Sequence, residues 1–214
     1  HKSTTIYACF PISKTNINKI NDHSIVIWTT TPWTIPGNRA LAIHNDIEYK
    51  SLSFRDTNEN KNIIIAADLV ESFLKENKIE EFKVNFSIKG HELTNTFCKH
   101  TLYKSGYNFE VPILHGDFVT TEQGTGIVHI CPVHGMDDFV LGKKHNLELP
   151  MTINESGIYY DHIPVFNGQH IFKVDQNVCN EIKKNNNLIS QGVLIHSYPH
   201  SWRSKAPLVY KNTS

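Results

Sequence analysis

The sequence has no excess of charge of either sign. Lysine plus arginine and aspartate plus glutamate number 21 each. That excludes a broad basic face able to hold nucleic acid unaided, although a local basic patch stays open. There is no run of about 18 apolar residues, so no membrane-spanning helix is expected, and no signal-peptide pattern opens the chain. Cysteine is sparse: Cys9, Cys98, Cys131 and Cys179, none at C-x-x-C spacing. No zinc knuckle or redox motif follows, and scattered thiols fit a reducing, cytoplasmic setting better than a disulfide scaffold. No internal repeat, low-complexity segment or Ser/His/Asp or Cys/His triad can be traced. What remains is 214 residues, 39% hydrophobic, enough for one sizeable domain. His1 and the end at Lys211–Ser214 read as the limits of a piece of something larger.

The most legible stretch is Gly124-Thr-Gly-Ile-Val-His-Ile-Cys-Pro-Val-His-Gly-Met-Asp-Asp-Phe139. Gly124 and Gly126 permit a tight turn that a side chain would obstruct. Ile127–Cys131 reads as a short buried strand with His129 on the face of Ile127 and Cys131, and Pro132 stops it. From about Met136 the spacing predicts a helix with Phe139, Val140 and Leu147 facing inward. Asp137 and Asp138 fall in its first turn, where the helix dipole favours negative charge. Two readings stand. Either the aspartates cap a helix and His129 is a satisfied core histidine, or these polar groups converge on a small polar ligand at a strand-to-helix corner.

A second unusual stretch is Trp28-Thr-Thr-Thr-Pro-Trp-Thr-Ile-Pro-Gly-Asn38. Three threonines before a proline predict a stiff, extended backbone with hydroxyls on both sides, walled by Trp28 and Trp33 and turned by Pro36-Gly37-Asn38. Taken singly, Thr29, Thr30 and Thr31 read as an ordinary strand edge. Elsewhere, strands are expected over residues 1–10, 24–28, 39–43, 49–54, 63–66, 82–90, 110–114, 117–120 and 193–197. A polar loop is expected over 14–22, a turn over 56–61 and irregular chain over 91–104. Helices are expected at 68–76, with Leu69, Phe73 and Leu74 inward, and at 172–184, where Ile171, Val174, Val178 and Ile182 keep helical spacing. Ser201–Lys211 carries a modest basic and aromatic patch. Many short strands with few helices suggest a β-rich α+β domain, a barrel decorated with helices.

The two motifs together resemble those of the editing domain of isoleucyl-tRNA synthetases, the connective peptide 1 insert of class I aminoacyl-tRNA synthetases. The tail His196-Ser-Tyr-Pro-His-Ser-Trp-Arg-Ser-Lys-Ala-Pro207 resembles the segment returning to the catalytic core, so the resemblance spans nearly all of residues 1–214 as a single editing domain. Thr31-Pro32-Trp33 and His129 match the isoleucyl form, whereas valyl enzymes typically show T-T-R-P-E-T with lysine in place of His129, and leucyl enzymes show methionine there. Ser201-Trp-Arg-Ser204 departs from the family's C-W-R-C, so no zinc site is expected on those positions. The parent's H-I-G-H and K-M-S-K-S motifs, and with them ATP and magnesium, are absent.

The resemblance implies post-transfer editing, the hydrolysis of valine from Val-tRNA(Ile) in a pocket too small for isoleucine. A second sieve is needed because one methylene discriminates by only about 1–3 kcal/mol, in the example from which that principle is itself drawn. It implies that Asp138 takes the α-ammonium, that His129 lines the pocket, and that Trp28, Thr29, Thr30, Thr31 and Thr34 form the opposite wall around the terminal adenosine. Asn38 would support the loop, and Asp137 would be a helix-start neighbour. The nucleophile is expected to be water, with either His129 or a hydroxyl of the tRNA as its general base and Thr30 as a covalent alternative. The expected partners are tRNA(Ile) carrying valine and the remainder of the parent enzyme. A monomer with no membrane contact, and no cofactor for editing, completes the expectation. Two other readings are a metallohydrolase using His129, His134, Asp137 and Asp138, and a non-catalytic tRNA-docking module.

Overall fold

The computed structural model describes residues 2–195. The expectations for Ser197, for the basic tail and for Ser201–Ser204 lie outside them. The backbone follows the alternation of the sequence. Strand β1 (Lys2–Lys14) runs antiparallel to β2 (Ser24–Thr29), with Ile6 opposite Thr29. A 3-10 helix over Pro32–Gly37 leads to β3 (Ala40–Ile43), β4 (Glu48–Asp56) and β5 (Glu59–Ala66). Helix α1 (Val70–Glu76), β6 (Phe82–Lys89), β7 (Phe97–Lys99), β8 (Glu110–His115) and β9 (Val128–Ile130) follow. Helices α2 (Met136–Lys144) and α3 (Asp175–Lys184) precede β10 (Leu188–Ile195).

The strands pair in the order β6-β4-β5-β2-β1-β7-β8-β3-β9, with β10 on β1. The β2–β5 and β3–β8 pairs are parallel and the others antiparallel. The domain is β-rich α+β as expected, but the barrel is not closed: among the described residues the path has two ends, β6 and β9. None of the described helices is long and apolar enough to cross a membrane.

Burial of both sheet faces explains the unbroken apolar runs. Ile6, Ala8, Phe10, Ile25, Ile27, Ile64 and Ala66 face the main core, which Val178 and Ile182 of α3 and Val174 just before it also enter. The intervening Tyr7, Cys9, Val26, Ile63 and Ile65 face a second cluster capped by Phe73 and Leu74 of α1. A third cluster joins Ala40 and Ala42 to Ile130 and to Leu141 of α2. The inward residues of α1 and α3 are those expected from spacing, although α3 starts at Asp175.

Five local expectations are corrected. Beyond Thr29 the chain is not extended but coils into the 3-10 turn, because Pro32 at its first position has no N–H to leave unpaired. Residues 117–120 are a turn, with Val119 N–H bonded to Gly116 C=O. The irregular 91–104 holds strand β7, and the expected 56–61 turn is only the tip of a β4–β5 hairpin pairing Asp56 with Glu59. In α2, Leu141 and Gly142 are buried while Val140 is 60% exposed. Asp138 sets that phase: its carboxylate bonds backward to Cys131, so the positions three and four residues on must also face inward.

The glycine turn behaves as expected. Gly124 and Gly126 have φ of 78° and 77°. Tyr49 O–H donates to Gly126 C=O at 2.6 Å, and a Cβ on Gly126 would stand 2.4 Å from the Ala66 Cβ. Gly126→Ala therefore combines left-handed backbone strain with a clash and should cost about 2 kcal/mol or more in unfolding free energy. Chemical denaturation checks it; a wild-type midpoint would contradict this packing.

Candidate functional site

The two motifs meet through His129. Strand β9 pairs with β3 so that His129 lies opposite Leu41. Its Nε2 lies 2.7 Å from Thr34 Oγ1, and its Nδ1 lies 2.9 Å from Asn38 Nδ2. Asn38 Nδ2 also donates to Ala40 C=O at 3.0 Å, which fixes the amide's orientation, since a flipped amide would set oxygen against oxygen. A donor facing Nδ1 makes Nδ1 the acceptor, so the proton of the neutral ring is on Nε2. Nε2–H then donates to Thr34 Oγ1, whose own hydrogen goes to Thr31 C=O at 2.8 Å. Burial, and secondly the neighbouring His134, push the His129 pKa down to about 4. Both ring nitrogens are engaged, which suits a wall and not a base that accepts protons from water.

Thr29 and Thr31 continue the network. Thr31 N–H donates to Thr29 Oγ1 at 3.1 Å, and the two hydroxyls lie 3.3 Å apart. Thr30 is half-buried beyond the end of β2, and no base among the described residues is hydrogen-bonded to it, which weakens the nucleophile reading. Trp33 packs edge-to-face on His134, with ring centroids 4.9 Å apart. Trp28 does not share that side. Strand alternation turns it toward the second cluster, beside Tyr7 and under Gly124.

Asp138 reaches the same corner from α2. Its Oδ2 accepts the Cys131 N–H at 2.8 Å, and a Cβ on Gly37 would lie 2.6 Å from Cys131 Sγ. The carboxylate, Cys131 and the end of the threonine turn are thus successive neighbours. Burial raises the Asp138 pKa to about 6, opposed by the Cys131 N–H and assisted by Asp137. Asp137 itself is exposed at the helix start. Cavities of about 350 Å³, lined by Asp22, Lys61, Lys99 and Lys104, and of about 930 Å³, between the β4–β5 hairpin and α3, open away from both motifs. Neither outlines a valine-sized pocket at the motifs.

The metallohydrolase set does not converge. His129 has both nitrogens engaged, and His134 Nε2 faces Thr152 Oγ1 at 3.3 Å. Among the described residues the group that does converge is His44, His115 and Asp117, within 4.8 Å. Both imidazoles there use Nδ1 to accept a backbone N–H, from Asp46 and Asn45. Their protons therefore sit on Nε2, where a metal would bind.

Sequence reading also missed a Ser–His–Asp arrangement. Asp22 Oδ1 lies 2.7 Å from His23 Nδ1, and His23 Nε2 lies 2.6 Å from Ser51 Oγ. Ser51 is fully buried, and its oxygen also accepts from Asn85. The ring of bonds closes through Ser53 and Asn62 back to Asp22. This is a satisfied polar network in which the would-be nucleophile, Ser51, has no exposed surface.

A curved mixed sheet whose two motifs lock at a strand-to-helix corner defines an editing domain of the class I synthetases. The family model described as "Leucyl-tRNA synthetase, editing domain" matches residues 2–197, and the chain belongs to that family. Within it, similarity is to isoleucine–tRNA ligases. The chain is 46% identical over 215 residues to that of Pelagibacter ubique (strain HTCC1062), covering 100% of this chain and 24% of that protein. It is 41% identical over 230 residues to that of Gluconobacter oxydans (strain 621H), covering 99% and 24%. The chain thus spans about a quarter of the length of these relatives. A solved structure, "The crystal structure of GlLeuRS-CP1", shares the fold with a TM-score of 0.65 at 15% identity, covering 92% of this chain and 100% of that one.

Asn38→Asp tests the histidine assignment. It replaces the donor facing Nδ1 with a carboxylate, which favours the imidazolium. The His129 pKa should rise from about 4 toward or above the ordinary histidine range, read by NMR titration of its ring. An unmoved titration would contradict the assigned tautomer.

Proposed function

We propose that this domain performs post-transfer editing for an isoleucine–tRNA ligase, hydrolysing the ester bond of Val-tRNA(Ile). The observation that supports this most is the seating of Asp138 beside Cys131, one contact from the threonine turn that His129 braces. In this reading the Asp138 carboxylate binds the α-ammonium of the misattached valine. The ion pair suits a partly desolvated carboxylate, because an arriving cation offsets the burial that raises its pKa. Thr29, Thr30 and Thr31 receive the terminal adenosine, and Trp33 and Thr34 close the wall. His129, neutral and held at both nitrogens, excludes the extra methylene of isoleucine. The nucleophile is water positioned against an already activated ester. The hydrolysis is assigned no cofactor. The tRNA is presented by the remainder of the synthetase.

Three outcomes follow. Asp138→Ala should lower Val-tRNA(Ile) deacylation by at least about a hundredfold while the fold persists, because the ammonium anchor is lost. In the wild type, kcat/KM should fall below about pH 6, where Asp138 becomes protonated. That acid limb should vanish in Asp138→Asn, and a limb that survives would move the titrating group elsewhere. His129→Ala should enlarge the pocket and admit Ile-tRNA(Ile). An unchanged ratio of valine to isoleucine release would transfer the excluding role to Thr34 or Thr31.

A further inference from the structure

The threonine turn is gripped from behind by residues that neither motif contains. Trp33 lies between Thr31 and Thr34, and both polar groups of its backbone face side chains from the second half of the chain. Its N–H faces the Asp175 carboxylate and favours the ionised form against the effect of burial, and its C=O accepts the Tyr159 hydroxyl. Tyr159 is 1% exposed, packed against Phe166. Asp175 opens α3, the helix that packs on this turn.

A carboxylate at a helix start is usually explained by its own helix, as a cap or a charge facing the dipole. The charge does sit in the first turn, but capping fails here. The N-cap position is Val174, no side chain caps the helix, and the Asp175 carboxylate faces the Trp33 peptide of another segment. Its Oδ1 is buried with no hydrogen-bond partner among the described residues. Leaving a carboxylate oxygen unpaired in the interior is unfavourable, and burial accordingly raises the Asp175 pKa to about 6. The fold tolerates this at the one place where the Trp33 N–H needs an acceptor.

We infer that Asp175 and Tyr159 are positioning residues of the editing site, a two-sided clamp on the Trp33 peptide that sets Thr31 and Thr34 against His129. The inference rests on the editing reading for its effect on catalysis, but the clamp itself is measurable without it. Neither residue touches the substrate. They act through the turn, so their loss lowers turnover more than it weakens binding.

The test uses the full-length protein with Asp175→Ala, Asp175→Asn and Tyr159→Phe. Hydrogen exchange at the Trp33 and Thr34 amides should quicken by about fivefold or more in Asp175→Ala and Tyr159→Phe. It should stay near wild type in Asp175→Asn, whose amide oxygen still accepts. The kcat for Val-tRNA(Ile) deacylation should fall by about tenfold or more in the first two variants, with KM changed by less than about twofold. Asparagine should restore it. Tyr159→Phe removes a single hydroxyl, so it decides the matter even if Asp175→Ala does not fold. Wild-type exchange in Tyr159→Phe, or an asparagine variant as impaired as alanine, would overturn the clamp. Altered exchange in a protein with no deacylase activity at all would keep the clamp and reject the editing reading.

Discussion

The arrangement depends on one short turn, Pro32–Gly37, being held rigid while presenting its hydroxyls forward. Prolines at its first and fifth positions restrict its backbone, but a single 3-10 turn has little stability of its own. Its rigidity comes from groups elsewhere in the chain. Trp33 C=O is taken by Tyr159, Ile35 C=O by His100 Nε2 at 3.0 Å, and Pro36 C=O by Arg39 at 3.2 Å. His100 is fully buried between aromatic rings, which drives its pKa down to about 3. Its Nδ1 accepts the Leu102 N–H, so it is a permanent neutral donor, the satisfied core histidine that His129 had also to be considered. On the turn's other side, His129 does for Thr34 what His100 does for Ile35. The difference is that His129 stands at the corner where Asp138 arrives.

Much of this was legible because it is periodic or conformationally demanding. Apolar, β-prone runs placed β1, β2, β4 and β5 to within a few residues, because burial on both faces leaves nearly every position apolar. Gly124 and Gly126 announced a positive-φ turn, and the aspartates announced a helix start. The errors share a cause. Val140 was expected inside because apolar residues set a helix's phase, but here a polar group, Asp138, sets it. Thr-Thr-Thr-Pro reads as extended until one sees that Pro32 can open a helical turn as easily as end a strand.

The anchoring residues carried no such signal. Tyr159 stands in irregular chain with one isolated bridge partner, Ile153, and His100 follows a three-residue strand. Asp175 looks like any helix-start carboxylate. Nothing local reveals that His100 and Tyr159 reach the same turn from 65 and 126 positions along the chain, or that Asp175 faces it too. The Asp22–His23–Ser51 network was hidden for the same reason, and its burial shows why hydrogen-bond order alone does not make a catalytic site. Openness of the sheet was equally beyond local reading, since closure depends on whether β6 and β9, far apart in sequence, come into register.

The proton on His129 tests the account most directly, because the turn, the wall and the absence of a histidine base all follow from its position. Two-bond proton–nitrogen correlation spectra of the ¹⁵N-labelled protein at neutral pH should show His129 with the proton on Nε2 and a bare Nδ1. That pattern should persist on acidification until about pH 4. A proton on Nδ1, or a ring that titrates near the ordinary histidine value, would mean that Asn38 and Thr34 do not hold it as described. His129 would then be free to act as a base, contrary to this account.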